Sequence, residues 1–345
     1  MRCKKITEHI LDNEAIYISS YPNIFYYSGF TSEDAKLVLT KSRKILFTDS
    51  RYKIQARLES PEFEVFDISY DFEDVIKSLN CKSLYFEDNK VTVAEYLKLQ
   101  RLGIELHHYS KELAKPRQVK DLSEINKIKA AQSLTDDAFS YIIKNLKVGM
   151  SEKEVALSLE FFMRKNGASS LSFETICASG IRSAMPHGVA SDKIIEKGDF
   201  VTLDFGCILD GYCSDMTRTV VMGTPDSRQK EIYDIVLKAQ TETLKGLAAG
   251  KKCSDCDLIA RNIIKDAGYG DNFGHGTGHS VGIEIHESPS LSPKSQDILT
   301  PGNIITVEPG IYIENFGGVR IEDLVQITSE NVVNLTKSEK DLLII

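Results

Sequence analysis

Apolar and polar residues alternate in short blocks over the first third of the chain. Ala15–Ser19, Lys36–Thr40 and Lys44–Thr48 have the two-residue period of strands, while Arg51–Glu59 and Thr92–Arg101 have the spacing of helices. Lys115-Pro116-Arg117 marks the expected connection to the next domain, because proline disfavours helix in the residue before it. Beyond it a long helix is predicted from Ser123 to Lys147, with Ser123 as N-cap and Glu124 behind it. Gly149 and Ser151 break the pattern, and a second helix follows over Glu152–Asn166. Residues 172–225 are strand-rich, helices return at Ser227–Ala248 and Cys256–Ala267, and strands are predicted at 281–287, 303–313 and 318–328. The pattern predicts an α/β domain over residues 1–116 and an α+β domain over 117–345, without repeats or low-complexity segments.

Composition narrows the class of function. The 345 residues are 42% hydrophobic and 27% charged, ordinary for a globular protein, with a formal net charge of −8. That acidity argues against nucleic acid or an anionic membrane surface as partner. No apolar run approaches the roughly 18–20 residues of a membrane span, and acidic and polar residues interrupt any signal core after the basic start. Seven cysteines without framework spacing suit a reducing cytoplasm. The lone Cys253-x-x-Cys256 has no second pair, so no metal or redox role is assigned to it.

Five residues do not fit the apolar pattern around them: Asp204, Asp215, His279, Glu308 and Glu322. Asp204 lies in Phe-Val-Thr-Leu-Asp-Phe-Gly (200–206), Glu308 in Asn-Ile-Ile-Thr-Val-Glu-Pro (303–309) and Glu322 in Gly-Val-Arg-Ile-Glu-Asp-Leu-Val (318–325). Carboxylates in such runs are costly unless a cation offsets them. Asp210-Gly211 signals a turn between the two aspartates, and a four-residue loop over Ile208–Gly211 would set Asp204 directly opposite Asp215. Two ionised carboxylates that close need a cation, or one of them takes up a proton. Side chains two apart share a strand face, so Thr202 joins Asp204, Thr306 joins Glu308 and Arg320 joins Glu322, while Val201, Leu203, Phe205, Ile305, Val307, Val319 and Ile321 would face the core. Any one such strand alone could present a solvated face; three together favour one site.

Four of the seven histidines add to it: His187 in Met-Pro-His-Gly, and His275, His279 and His286 in a glycine-rich segment. Gly274, Gly276 and Gly278 exclude a helical His-Glu-x-x-His zinc motif and suggest a turn that lets a histidine approach a metal. Four carboxylates and one imidazole suit two divalent ions: Mn²⁺ foremost, then Co²⁺, Zn²⁺ or Fe²⁺. The chemistry such a pair supports is hydrolysis of an amide or ester.

The order Asp, ten residues, Asp, then His, Glu and Glu resembles the pita-bread metallopeptidases, which include methionine aminopeptidases, aminopeptidases P and prolidases. Ser183-Ala-Met-Pro-His-Gly188, Asp204-Phe-Gly, Ser214-Asp-Met-Thr-Arg-Thr219, Gly274-His-Gly-Thr-Gly-His279, Val307-Glu-Pro-Gly-Ile-Tyr312 and Gly318-Val-Arg-Ile-Glu-Asp323 resemble the proline-specific branch. The first domain is similar to that branch's creatinase-like N-terminal domain at Asn23-Ile-Phe-Tyr-Tyr-Ser-Gly-Phe30 and Phe47-Thr-Asp-Ser-Arg-Tyr52. The resemblance implies a pita-bread catalytic domain in which Asp215 and Glu322 bridge two metals, Asp204 binds one, and His279 and Glu308 complete the other. It further implies that Glu308 shuttles a proton and that His187 and His286 contact the scissile carbonyl. His275 would shape a proline pocket, with Arg320 and Tyr312 supporting the cluster. Proline-containing peptides as substrates and a homodimer are also implied. Within the branch, the absence of a basic residue between His286-Glu287 and Lys294, and the Thr-Asp-Ser-Arg-Tyr segment, favour an Xaa-Pro aminopeptidase of the aminopeptidase P type over an Xaa-Pro dipeptidase (prolidase). A metal-free pita-bread binding module is the remaining alternative, and the complete ligand set counts against it.

Overall fold

A computed structural model describes residues 2–345, which form two compact units meeting between Arg117 and Gln118. In the first, strands β1 (Glu14–Ile18), β2 (Ala35–Leu39), β3 (Lys44–Thr48), β4 (Glu64–Asp67), β5 (Ser83–Phe86) and β6 (Glu105–His108) make one mixed sheet in the order β4-β3-β2-β1-β5-β6. Helices α1 (Arg2–Thr7), α2 (Tyr21–Ser28), α3 (Lys53–Glu59), α4 (Phe72–Ser78), α5 (Val93–Gln100) and α6 (Ser110–Gln118) complete the α/β arrangement. Lys115-Pro116-Arg117 is not a linker but the last turn of α6. The proline forfeits one helical hydrogen bond there, and three contacts from α2 hold the turn regardless. The Tyr27 hydroxyl donates to Leu113 O (2.9 Å), the Tyr26 hydroxyl to Pro116 O (3.1 Å), and Arg117 Nη1 to Asn23 Oδ1 (3.0 Å).

The second unit is α+β. Helix α7 (Leu122–Asn145) starts two residues earlier than its sequence pattern suggests: Asp121, not Ser123, is the N-cap, in a capping box with Glu124. Helix α8 (Glu152–Lys165) follows, then strands β7 (Ser170–Leu171), β8 (Ile176–Ser179), β9 (Phe200–Phe205), β10 (Cys207–Leu209), β11 (Tyr212–Cys213) and β12 (Met216–Val221). Helices α9 (Ser227–Gly246) and α10 (Cys253–Asp266) lead to β13 (Gly278–Ser280), β14 (Glu287–Leu291), β15 (Ile304–Val307), β16 (Gly310–Ile313), β17 (Gly317–Arg320), β18 (Asp323–Ile327) and β19 (Val332–Asn334). The sheets are β12-β9-β8, β11-β10-β7, β14-β13-β15-β18-β19 and the ribbon β16-β17.

Strand parity governs how these sheets pack. Val201, Leu203 and Phe205 pack with Ile142, Leu159 and Met163 of α7 and α8. Val319 and Ile321 pack with Ile232, Val236 and Ile264 of α9 and α10, and Ile305 and Val307 join a third core. The even-numbered residues of the same strands point the other way, toward one another. Among the described residues, no helix is long and apolar enough to cross a membrane, and all seven cysteines are unpaired.

Candidate metal centre

The aspartate hairpin is tighter than a four-residue loop. Leu209 pairs with Tyr212, leaving Asp210-Gly211 as a two-residue turn in which both residues have positive φ (51° and 78°), as a type I′ hairpin requires. Register follows from the turn. Asp204 faces Thr217, not Asp215, and Asp215 lies two residues before Thr217, diagonal to Asp204.

The two glutamates do not lie inside continuous strands. β15 and β18 pair as far as Val307 with Asp323, and β16 and β17 resume with Gly310 opposite Arg320, in the same register. The ladder is interrupted only at Glu308-Pro309 and Ile321-Glu322, so Glu308 stands opposite Glu322. Their backbone amides turn to other segments: Glu308 N–H donates to Thr277 O (2.8 Å) and Glu322 N–H to Thr217 O (3.1 Å). Both carboxylates are thereby released from strand geometry and held by a third piece of chain.

His279 lies on β13, not in a turn. A Cβ on the preceding Gly278 would meet Thr306 O at 1.9 Å, so only glycine lets the two backbones come this close. His279 N–H donates to Thr306 Oγ1 (3.0 Å). The ring Nδ1 lies 3.2 Å from Ser280 O and must carry the proton to bond it. That leaves Nε2 as a bare lone pair, 3.3 Å from Glu308 Oε1 and 3.5 Å from Asp215 Oδ2. The stretch 281–287, expected as strand, is irregular except at Glu287, where β14 begins. It carries His286, whose ring stands edge-on to His279 with centroids 4.4 Å apart.

A hydrogen-bonded relay supports the acids. Arg320, buried, donates through Nη2 to Asp204 Oδ2 (2.6 Å), through Nε to Thr217 Oγ1 (3.1 Å) and through Nη1 to the Tyr312 hydroxyl (2.8 Å). The Thr217 hydroxyl donates to Glu322 Oε2 (2.8 Å), and the Tyr312 oxygen is 2.9 Å from His275 Nε2. The place of Thr217 opposite Asp204 follows from the hairpin register and from no local feature of its motif. On α10, Asp257 and Arg261 pair and fasten the glycine-rich segment from behind, with Arg261 donating to Phe273 O (3.1 Å) and His275 O (2.8 Å). The i,i+4 spacing of the pair is legible in the helix pattern, but its contacts to the glycine-rich segment are not.

The electrostatics show what the cluster lacks. Burial pushes the Asp215 and Glu322 carboxyls well above the ordinary carboxylate range, and repulsion from the neighbouring acids adds to it. Burial also raises Glu308 and lowers His279, which favours the neutral imidazole. Asp204 Oδ1 and Glu322 Oε1 are buried with no hydrogen-bond partner. Oxygens of Asp215 and Glu322 and a ring nitrogen of His279 lie within 4.8 Å of one another. Crowded acids, orphaned oxygens and an imidazole lone pair aimed among them fit divalent cations. A cavity of about 500 Å³ opens over this cluster and is also lined by His187, His275 and His286. His187, exposed on the turn after the 3₁₀ segment Gly180–Ala184, reaches the cavity from the opposite chain segment.

Comparison with known proteins agrees with this geometry. Residues 126–329 match the model of metallopeptidase family M24, and residues 3–119 match the creatinase/prolidase N-terminal domain. The chain belongs to metallopeptidase family M24. It is 38% identical to an Xaa-Pro dipeptidase of Pyrococcus horikoshii, over 99% of this chain and 98% of that one. A solved structure of an Xaa-Pro dipeptidase from Bacillus anthracis is 42% identical, covers 100% of this chain and 98% of its own, and superposes with a TM-score of 0.95. An X-Pro aminopeptidase structure from Thermotoga maritima is 37% identical, covering 98% and 99% of the two chains, with a TM-score of 0.91. The fold is thus a creatinase-like N-terminal domain followed by a pita-bread catalytic domain, and family membership makes the chain a peptidase that uses divalent metal ions.

Proposed function

We propose that this chain is an Xaa-Pro dipeptidase, hydrolysing the bond before the proline of dipeptides. The supporting observation is its full-length likeness to proteins bearing that name. This revises the preference for an aminopeptidase P drawn from the sequence, which rested on the missing basic residue between Glu287 and Lys294 and on the Thr-Asp-Ser-Arg-Tyr segment of the first domain. An aminopeptidase accepting longer peptides is the second reading, favoured by the likeness to the Thermotoga enzyme. The cavity volume lies in the range of small-molecule sites.

In this proposal Asp204, Asp215, His279, Glu308 and Glu322 would together hold two divalent ions. Oxygen-rich ligation with a single nitrogen favours Mn²⁺. When bound, the ions supply Lewis acidity, making a water more acidic and polarising the scissile carbonyl. Glu308 Oε1, beside His279 Nε2, accepts the proton of the attacking water and returns it to the proline nitrogen as that leaves. His187 and His286 donate to the carbonyl oxygen as it gains charge. His275, steadied by Tyr312, packs against the proline ring, and Arg320 orients Asp204 by donating to its Oδ2. A cytoplasmic homodimer belongs to the same proposal.

The test is hydrolysis of Xaa-Pro against Xaa-Pro-Yaa peptides, with Mn²⁺, Co²⁺ and Zn²⁺ compared. Cleavage confined largely to the dipeptide is expected. Faster cleavage of the tripeptide would establish the aminopeptidase instead.

A further inference from the structure

Directly behind the acidic cluster, on the other face of β12, lies a second buried charge that the peptidase reading leaves without a role. Arg218 and its partner Asp323 have side chains only 2% and 1% exposed. The guanidinium makes five hydrogen bonds, and four of them go to backbone carbonyls. Nε donates to Glu339 O (2.9 Å), Nη1 to Thr217 O (2.9 Å) and Glu322 O, and Nη2 to Ser338 O (2.8 Å) and Asp323 Oδ1 (2.7 Å). The other oxygen of Asp323 collects Lys340 Nζ (2.7 Å), Gln240 Nε2 (2.9 Å) and Asn334 Nδ2 (2.9 Å).

These contacts converge on one peptide. Glu322 is bonded at its N–H by Thr217 O, at its carbonyl by Arg218 and at Oε2 by the Thr217 hydroxyl. Its Oε1 is the atom left buried without a partner, facing the cluster. Arg218 also holds Thr217 O, the acceptor for that same Glu322 N–H. Because Glu322 sits where the β17–β18 strand breaks, the ladder does not fix its backbone, and the guanidinium supplies what the ladder omits. The C-terminal segment enters through Ser338, Glu339 and Lys340, and its start is tied down in turn by Asp136 of α7, which accepts from Lys337 N–H (3.0 Å) and Ser338 N–H (2.8 Å).

We propose that Arg218, braced by the C-terminal segment Ser338–Lys340, is a positioning residue for Glu322 that sets the affinity of the metal pair. The inference rests on the metal-centre reading above. Lysine cannot replace it, since one ammonium cannot span carbonyls on three segments as a planar fork does.

The experiment measures Mn²⁺ bound per chain, and its affinity, by equilibrium titration of the apo-protein. Wild type, Arg218→Met, Arg218→Lys and a destabilised control, Leu159→Ala in the α8 core, are compared well below their melting temperatures. Wild type should bind two ions, and Arg218→Met should bind at least one of them about ten- to a hundred-fold more weakly, the usual effect of removing a group that orients a ligand. If Arg218→Met does not fold, Arg218→Lys carries the test and should show a loss of about tenfold. Lys340→Met should weaken binding by a smaller factor. Leu159→Ala, matched in thermal destabilisation, should bind as wild type does. Wild-type affinity in a folded Arg218 variant, or an equal loss in Leu159→Ala, overturns the inference. A wild type that binds no divalent ion overturns the metal-centre reading itself, and the inference with it.

Discussion

Gly278→Ala is the smallest substitution expected to disable the centre. The added methyl would lie 1.9 Å from the carbonyl oxygen of Thr306 and 2.8 Å from its carbon, where ordinary contacts do not fall below 3.0 Å. Both atoms are backbone, in the sheet that presents Glu308, so no side chain can swing away. β13 and β15 must separate by about an ångström or more, taking His279 away from Glu308 and stretching the His279 N–H bond to Thr306 Oγ1. Overpacking of this kind costs about 1–3 kcal/mol of stability, and displacement of a reacting group by about 1 Å can lower turnover about 100-fold. Thermal unfolding with and without Mn²⁺, together with kcat on an Xaa-Pro dipeptide, measures both effects. Wild-type activity with an unchanged melting temperature would refute the claim that backbone contact at Gly278 sets the His279–Glu308 geometry.

Three further outcomes are expected. Asp215 and Glu322 have folded-state pKa values raised above their unfolded values, so they favour the folded state fully below about pH 4 and lose that contribution as pH climbs through the raised values; the gain in melting temperature on adding Mn²⁺ should therefore be larger at pH 8 than at pH 6, and a constant gain would contradict the crowding of unneutralised acids. Arg320→Met strands the buried Asp204 carboxylate and should cost about 3–5 kcal/mol in the apo-protein by denaturant titration. Thr217→Val removes the hydroxyl between Arg320 and Glu322 and should cost about 1–3 kcal/mol, with weaker metal binding; an unaltered metal affinity would show that the hydroxyl does not orient Glu322.

Much of the site could be read from the chain because strand parity is local. Alternation alone assigns Leu203 to the core and Asp204 away from it, and the same holds for Ile321 and Glu322. Register was harder. Asp210-Gly211 carried the signal for a two-residue turn, yet counting a longer loop displaced Asp215 by two positions. The opposition of Glu308 and Glu322 depends on pairing across the Gly310–Arg320 ribbon, and no local pattern reports it. Arg218, Thr217 and the Asp257–Arg261 pair escaped assignment for the same reason: their partners lie up to about 120 residues away, on segments whose proximity only the fold creates. Pro116 shows the converse, a local rule outweighed by the tyrosine contacts from α2.

The central claim is that five side chains from five separate chain segments hold a pair of divalent ions. Anomalous diffraction from a Mn²⁺-loaded crystal tests it directly. Two peaks about 3.5–4 Å apart, with the carboxylates of Asp215 and Glu322 between them and Asp204, His279 and Glu308 at the flanks, are predicted. A single peak, or none among these five residues, would contradict it.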